Sequence, residues 1–141
     1  MRYSILLLIS LFQFTFAQNS IERLENSPRH HEWVKINSNS NEINSFLVYP
    51  EVSKKVPVVV LIHENRGLND WARSMTDQIA EMGYIAIAPD FLSGTAPNGG
   101  GTNDYQNSDD ARTAIYNLDP VIINDILNKT VDYSKKIPSG N

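Results

Sequence analysis

Cysteine is absent from the 141 residues. That excludes disulfide frameworks, zinc ribbons, iron–sulfur ligation and a thiol nucleophile within them. An excess of positive charge is missing too, with 12 Lys and Arg against 16 Asp and Glu and a formal charge of −4. Proteins that bind nucleic acid concentrate Lys and Arg against the phosphate backbone, so no nucleic-acid partner is expected. No apolar run reaches the roughly 20 residues of a membrane-spanning helix. Neither Gly-x-Ser-x-Gly nor Gly-x-Cys-x-Gly, the elbows that present a nucleophile, occurs anywhere. What remains is a chain with 41% hydrophobic residues, enough for a packed core and of a length suited to one domain.

Residues 1–17, MRYSILLLISLFQFTFA, begin with basic Arg2 and run apolar from Ile5 to Phe16. They close on Thr15-Phe16-Ala17, with small residues three back and one back from a cut after Ala17. This is the layout of a secretory signal peptide, and Ser10 and Gln13 weaken an anchor reading further. The protein is therefore expected to be exported, to the periplasm or outside the cell, with no stable membrane span after cleavage. Residues 18–31 read as a polar arm and 32–141 as the folded domain.

Glu32-Trp33-Val34-Lys35-Ile36 alternates at period two and predicts a strand, as does Ser45-Phe46-Leu47-Val48-Tyr49 after a polar turn. Pro57-Val58-Val59-Val60-Leu61-Ile62 is a continuous β-branched run, the pattern of a strand buried on both faces of a parallel sheet. A helix follows, capped by Asn69 or Asp70, with Trp71, Met75, Ile79 and Met82 on its expected core face, Ala72 and Ala80 beside them, and Gly83 at its end. Tyr84-Ile85-Ala86-Ile87-Ala88 predicts a second buried strand, so 57–88 is a βαβ unit and the fold class is α/β. Gly94 to Ser108 reads as a long flexible loop. Ser108 caps a short helix over 109–117, and Asp119-Pro120 opens another over 120–136. A helix of that kind returns to a further parallel strand. None is present, so the sequence reads as the first part of a larger α/β domain.

Chemistry concentrates after the buried strand, in His63-Glu64-Asn65-Arg66-Gly67. Open α/β sheets bind ligands at the carboxyl ends of their strands. A glutamate there is expected to be partly desolvated and paired, and the 65–68 amides point where an anion sits. The alternative role for Glu64 is structural, pairing with Arg66 or a loop donor to hold the turn. His63 reads as a histidine flanking the core. His30-His31-Glu32 resembles a metal patch, but neighbours on a strand face opposite ways. Gly99-Gly100-Gly101 lacks the Gly-Lys-Ser/Thr of a phosphate loop. Asn128-Lys129-Thr130 fits a glycosylation acceptor but lies mid-helix.

Pro57-Val58-Val59-Val60-Leu61-Ile62-His63-Glu64-Asn65-Arg66-Gly67-Leu68-Asn69 resembles the dienelactone hydrolase (carboxymethylenebutenolidase) family. So do Gly83-Tyr84-Ile85-Ala86-Ile87-Ala88-Pro89-Asp90-Phe91-Leu92, Ala96-Pro97-Asn98-Gly99-Gly100-Gly101-Thr102 and Leu118-Asp119-Pro120, in order from about Trp33 to Asn141. The resemblance implies an α/β-hydrolase fold, incomplete here, and cleavage of an enol-lactone ring through a Cys–His–Asp triad. It assigns Glu64 to activation of the nucleophile and the backbone N–H of Asn65 to the oxyanion hole. The triad's nucleophile, Asp and His are not in this chain, and neither a cofactor nor a metal ion is implied. Some members carry a substrate-binding Arg shortly after the Pro-Asp of the fourth strand, where this chain has Ser93-Gly94.

The expectation is an N-terminal fragment of an exported dienelactone hydrolase-like enzyme acting on a small-molecule ester or lactone, inactive alone. Two alternatives stand beside it: a noncatalytic exported α/β module binding a small ligand, and a related serine carboxylesterase. The first 17 residues make an independent prediction. Protein recovered after export is expected to begin at Gln18 on N-terminal sequencing, and a chain retaining Met1 would contradict the signal-peptide reading.

Overall fold

The structure is a computed structural model that describes residues 19–141. The signal-peptide expectation for 1–17 lies outside the described residues. Residues 19–25, expected as part of a polar arm, are instead helical (α1). Four strands follow: β1 (His30–Asn37), β2 (Glu42–Tyr49), β3 (Val58–Val60) and β4 (Ile85–Pro89). The remaining helices are α2 (Asp70–Glu81), α3 (Ser108–Tyr116) and α4 (Pro120–Ser134). The strands form one mixed sheet in the order β1-β2-β4-β3, antiparallel except for the parallel β3–β4 pair.

Alternation along β4 divides the core in two. Ile85 and Ile87 face one side of the sheet, packing with Ile43 and Leu47 of β2 and Ile126 of α4. Ala86 and Ala88 face the other, with Phe46, Val48 and Leu68 and with Ala72 and Ala80 of α2. Those alanines explain a correction. The face expected to be buried on α2 is shifted: Ala72 and Ala80, expected beside it, are buried with Thr76 and Asp77 and Ile79 packs against them, but Trp71 is 45% and Met82 73% exposed. A sheet surface paved with alanine draws the helix close, and only small side chains fit between.

The strand expected over 57–62 is ordered as sheet only over Val58–Val60 and is half-buried, not buried on both faces. It lies at the edge of the four-stranded sheet, and Ile62 is 61% exposed. Beside it, Gly140 makes a parallel bridge to Val56, with Val56 N–H donating to Ser139 O (3.2 Å) and Asn141 N–H to Val56 O (3.0 Å). The chain leaving α4 thus returns to the β3 side of the sheet. Helix caps follow their expected chemistry at Asn69 and Asp119, whose side chains accept from Ala72 and Val121 amides. The cap of α3 is Asn107 rather than Ser108, its Oδ1 accepting from the Asp109 and Asp110 amides.

The N-terminal segment is tied down by one buried carboxylate. Asp77 of α2 accepts from Ser27 Oγ (2.5 Å), Arg29 Nε and Nη2 (2.8 and 2.7 Å) and pairs with His31 Nε2 (2.9 Å). Arg23 Nε of α1 lies 3.3 Å away. Burial would raise the Asp77 pKa, but the Arg29, Ser27 and His31 hydrogen bonds prevail and lower it to about 2. Its contribution to stability is complete above the ordinary value of 3.8 and is lost as pH falls through about 2. Replacing Asp77 by Ala leaves the nearly buried Arg29 with the more distant Glu81, 3.8 Å away, in place of its two hydrogen bonds to Asp77. Removal of one partner of a buried pair costs about 3 kcal/mol or more. Urea denaturation is expected to show a loss of that size, and a change below about 1 kcal/mol would place the N-terminal anchor elsewhere.

Candidate active site

Strand β3 ends into a tight turn. Gly67 N–H donates to Glu64 O (3.2 Å), closing a four-residue turn over Glu64-Asn65-Arg66-Gly67. Gly67 has φ +73°, and a Cβ built there would meet Thr102 Oγ1 at 2.1 Å. Only glycine fits this position. The amides of Asn65 and Arg66 have no acceptor among the described residues. They are two donors without a protein acceptor at the carboxyl end of a strand.

Glu64 departs from its expected environment. It is exposed, and its carboxylate makes no ion pair with Arg66 or any other described residue. The expected desolvation and structural pairing are therefore both missing, because the β3 edge leaves the turn open to solvent. Its backbone, not its side chain, holds the turn.

That task falls to His63, whose side chain is fully buried. Its Nδ1 lies 2.9 Å from Glu64 O, and Phe91 N–H donates to its Nε2 at 3.1 Å. An accepting Nε2 is the unprotonated nitrogen, so Nδ1 carries the proton that it donates to Glu64 O. The ring packs edge-on against Phe91, with centroids 4.9 Å apart. Burial holds the His63 pKa below 6.5, while the Glu64 carbonyl and Asp90, 3.9 Å away, oppose without overcoming it. The expectation of a core-flanking histidine agrees with this placement.

The loop read as flexible is pinned to the same point. Asp90 accepts from Thr102 N–H (2.8 Å), Thr102 Oγ1–H (2.6 Å) and Leu92 N–H (3.0 Å). Thr102 Oγ1 in turn accepts from Leu68 N–H at 2.9 Å. Gly101 must approach Asp90 so closely that a Cβ would lie 2.5 Å from Oδ2. Of the glycine run, Gly101 lies against the buried Asp90 carboxylate, while Gly100 lies against Asp104. Ser93, where some family members carry an Arg, is buried, donating to Asp90 O (2.7 Å) and accepting from Asn44 N–H (3.0 Å).

Two features escaped sequence reasoning. Tyr116, at the end of α3, brings its hydroxyl 3.3 Å from Asn65 Nδ2. Thr102 and Asp90 also border an open cavity of about 220 Å³, lined as well by Trp33 and Asn44. Residues 51 positions apart in sequence, such as Asn65 and Tyr116, leave no local pattern. His30 and His31 do not converge: His30 meets Glu32 (2.7 Å), while His31 meets Asp77. Among the described residues, no helix is long and apolar enough to cross a membrane.

A mixed sheet covered by helices on both faces, with free amides at the end of a parallel strand, defines an α/β-hydrolase type of fold. Residues 43–141, more than half of the chain, match the dienelactone hydrolase family. The chain belongs to that family. It is 49% identical over 53 residues to an Escherichia coli (strain K12) protein named as a hydrolase fragment, YghX, covering 37% of this chain and 45% of that one. It is 36% identical over 64 residues to a Synechocystis sp. (strain ATCC 27184 / PCC 6803 / Kazusa) protein named as a carboxymethylenebutenolidase, covering 45% and 26%. A crystal structure titled as a dienelactone hydrolase of Klebsiella pneumoniae superposes with a TM-score of 0.65 at 18% identity, over 80% of this chain and 46% of that one. The chain spans under half the length of each of these proteins.

The His63 arrangement predicts acid sensitivity. A folded-state pKa below the unfolded value of 6.5 means that the unfolded chain binds the extra proton. The stabilisation is complete above pH 6.5 and declines as pH falls below it, well before Asp77 titrates. Urea midpoints are expected to drop between about pH 7.5 and 5.5, and to drop less in His63→Gln. Equal drops in both proteins would contradict this assignment.

Proposed function

We propose that this chain supplies one wall of an ester- or lactone-cleaving site that works by acyl transfer. The two free amides of Asn65 and Arg66 at the end of β3 carry the reading. The Asn65 N–H binds the oxyanion of the tetrahedral intermediate, as in acyl-transfer sites generally. The Glu64 carboxylate, exposed beside it, takes up the proton of an incoming nucleophile or orients that group. The nucleophile, Asp and His of the triad come from polypeptide outside these residues. The absence of cysteine and of any nucleophile elbow from residues 1–141 supports that division. Family membership supports hydrolase chemistry, and a small-molecule substrate fits the open turn. The signal-like layout of residues 1–17 supports export.

On this reading the 141-residue chain hydrolyses an activated ester such as p-nitrophenyl acetate no faster than buffer. Turnover that Glu64→Gln abolishes would show a complete site within the chain and overturn the division of labour. Continuing the reading frame past codon 141 is expected to reveal, within about thirty codons, a strand followed by Gly-x-Cys-x-Gly or Gly-x-Ser-x-Gly. In a chain carrying that elbow, Glu64→Gln is expected to lower kcat by about 10²-fold or more. An unchanged kcat would remove Glu64 from the chemistry.

A further inference from the structure

The free amides of the 64–67 turn work as oxyanion donors only if the turn is held still. Preorganisation makes such donors effective, because no reorganisation is then needed as charge develops. The residues that hold it come from distant parts of the chain. At one end, Glu64 O accepts from both Gly67 N–H (3.2 Å) and His63 Nδ1 (2.9 Å). At the other, Leu68 N–H donates to Thr102 Oγ1 (2.9 Å), whose proton goes to Asp90 Oδ1 (2.6 Å). Phe91 N–H, next to Asp90, donates back to His63 Nε2 (3.1 Å). The bonds close a ring: His63, Glu64, Gly67, Leu68, Thr102, Asp90, Phe91 and His63 again. Thr102 is the one ring member outside the two segments that directly follow β3 and β4, and it fills the space above Gly67.

We propose that Thr102 is a positioning residue for the Asn65 amide, acting through Leu68 and Gly67 and itself fixed by Asp90. The proposal rests on the reading of that amide as the oxyanion donor. It also gives the 94–108 loop a role: it carries the one hydroxyl that accepts from the turn's far end while donating to a buried carboxylate. Thr102 touches no reacting atom. Its hydroxyl is the functional part, so Ser replaces it and isosteric Val does not.

Amide hydrogen exchange and ¹⁵N shifts in the full 141-residue chain test this. In Thr102→Val, the Leu68 amide is expected to exchange at least about tenfold faster and the Asn65 amide to shift, with the Ile85 and Ile87 amides of β4 unchanged; tenfold corresponds to about 1.4 kcal/mol. Thr102→Ser is expected to restore the wild-type pattern. Unchanged Leu68 and Asn65 signals in Thr102→Val, or acceleration shared equally by β4, would overturn the proposal. So would failure of Thr102→Ser to restore them. Should Thr102→Val not fold, the wild-type protein decides: a slowly exchanging Thr102 hydroxyl proton with a nuclear Overhauser contact to the Leu68 amide supports the clamp, and its absence refutes it. Exchange reports on the clamp, and ester turnover of a chain carrying the nucleophile elbow reports on the acyl-transfer reading, so either can fail while the other stands.

Discussion

The Asp90 carboxylate accepts three hydrogen bonds, from the amide and hydroxyl of Thr102 and the amide of Leu92, and the site depends on that convergence. Asp90 follows directly on β4, the central strand between β2 and β3. A carboxylate buried there without donors costs several kcal/mol, so the chain is obliged to bring donors to it. It does so by folding the 94–108 loop back over the sheet. Once there, Thr102 has a second hydrogen-bonding position to fill, and Leu68 N–H fills it. A requirement of the core thereby becomes a constraint on the turn after β3.

Packing on the opposite side of the sheet serves the same end. Ile85 and Ile87 anchor β4 against α4, while Ala86 and Ala88 let α2 approach closely. Leu68, just before α2, is fully buried in that second cluster. The turn is thus held by apolar burial at Leu68 and by hydrogen bonds at its two ends. Asp77, farther along α2, fastens α1, the Ser27–Arg29 segment and β1 through one carboxylate. The two buried aspartates divide the work, Asp77 holding the N-terminal segment and Asp90 holding the site.

Much of this was legible in the sequence, for local reasons. Alternation placed β1, apolar runs placed β2 and β4, and Asn69, Asp119 and Pro120 marked helix starts through their own side-chain chemistry. The position of Glu64 and Asn65 after a parallel strand followed from the apolar run before them. Other features depended on partners far along the chain. The buried face of α2 could not be read from its own periodicity, because the alanines of β4 decide which side chains fit. The polarity of 94–108 suggested looseness, yet those polar groups are the donors that Asp90 requires. The β-branched run before His63 predicted a strand buried on both faces, but burial depends on neighbours, and β3 has a described strand on one side only. Glu64 is exposed for the same reason.

A neutral, buried His63 and the Asp90–Thr102 pair jointly fix the turn that carries the free amides. Long-range ¹H–¹⁵N correlation of the His63 ring at neutral pH tests this most directly. The expected result is the Nδ1–H tautomer, with an unprotonated Nε2 accepting from the Phe91 amide. A ring protonated at Nε2, or at both nitrogens, would break that bond and contradict it.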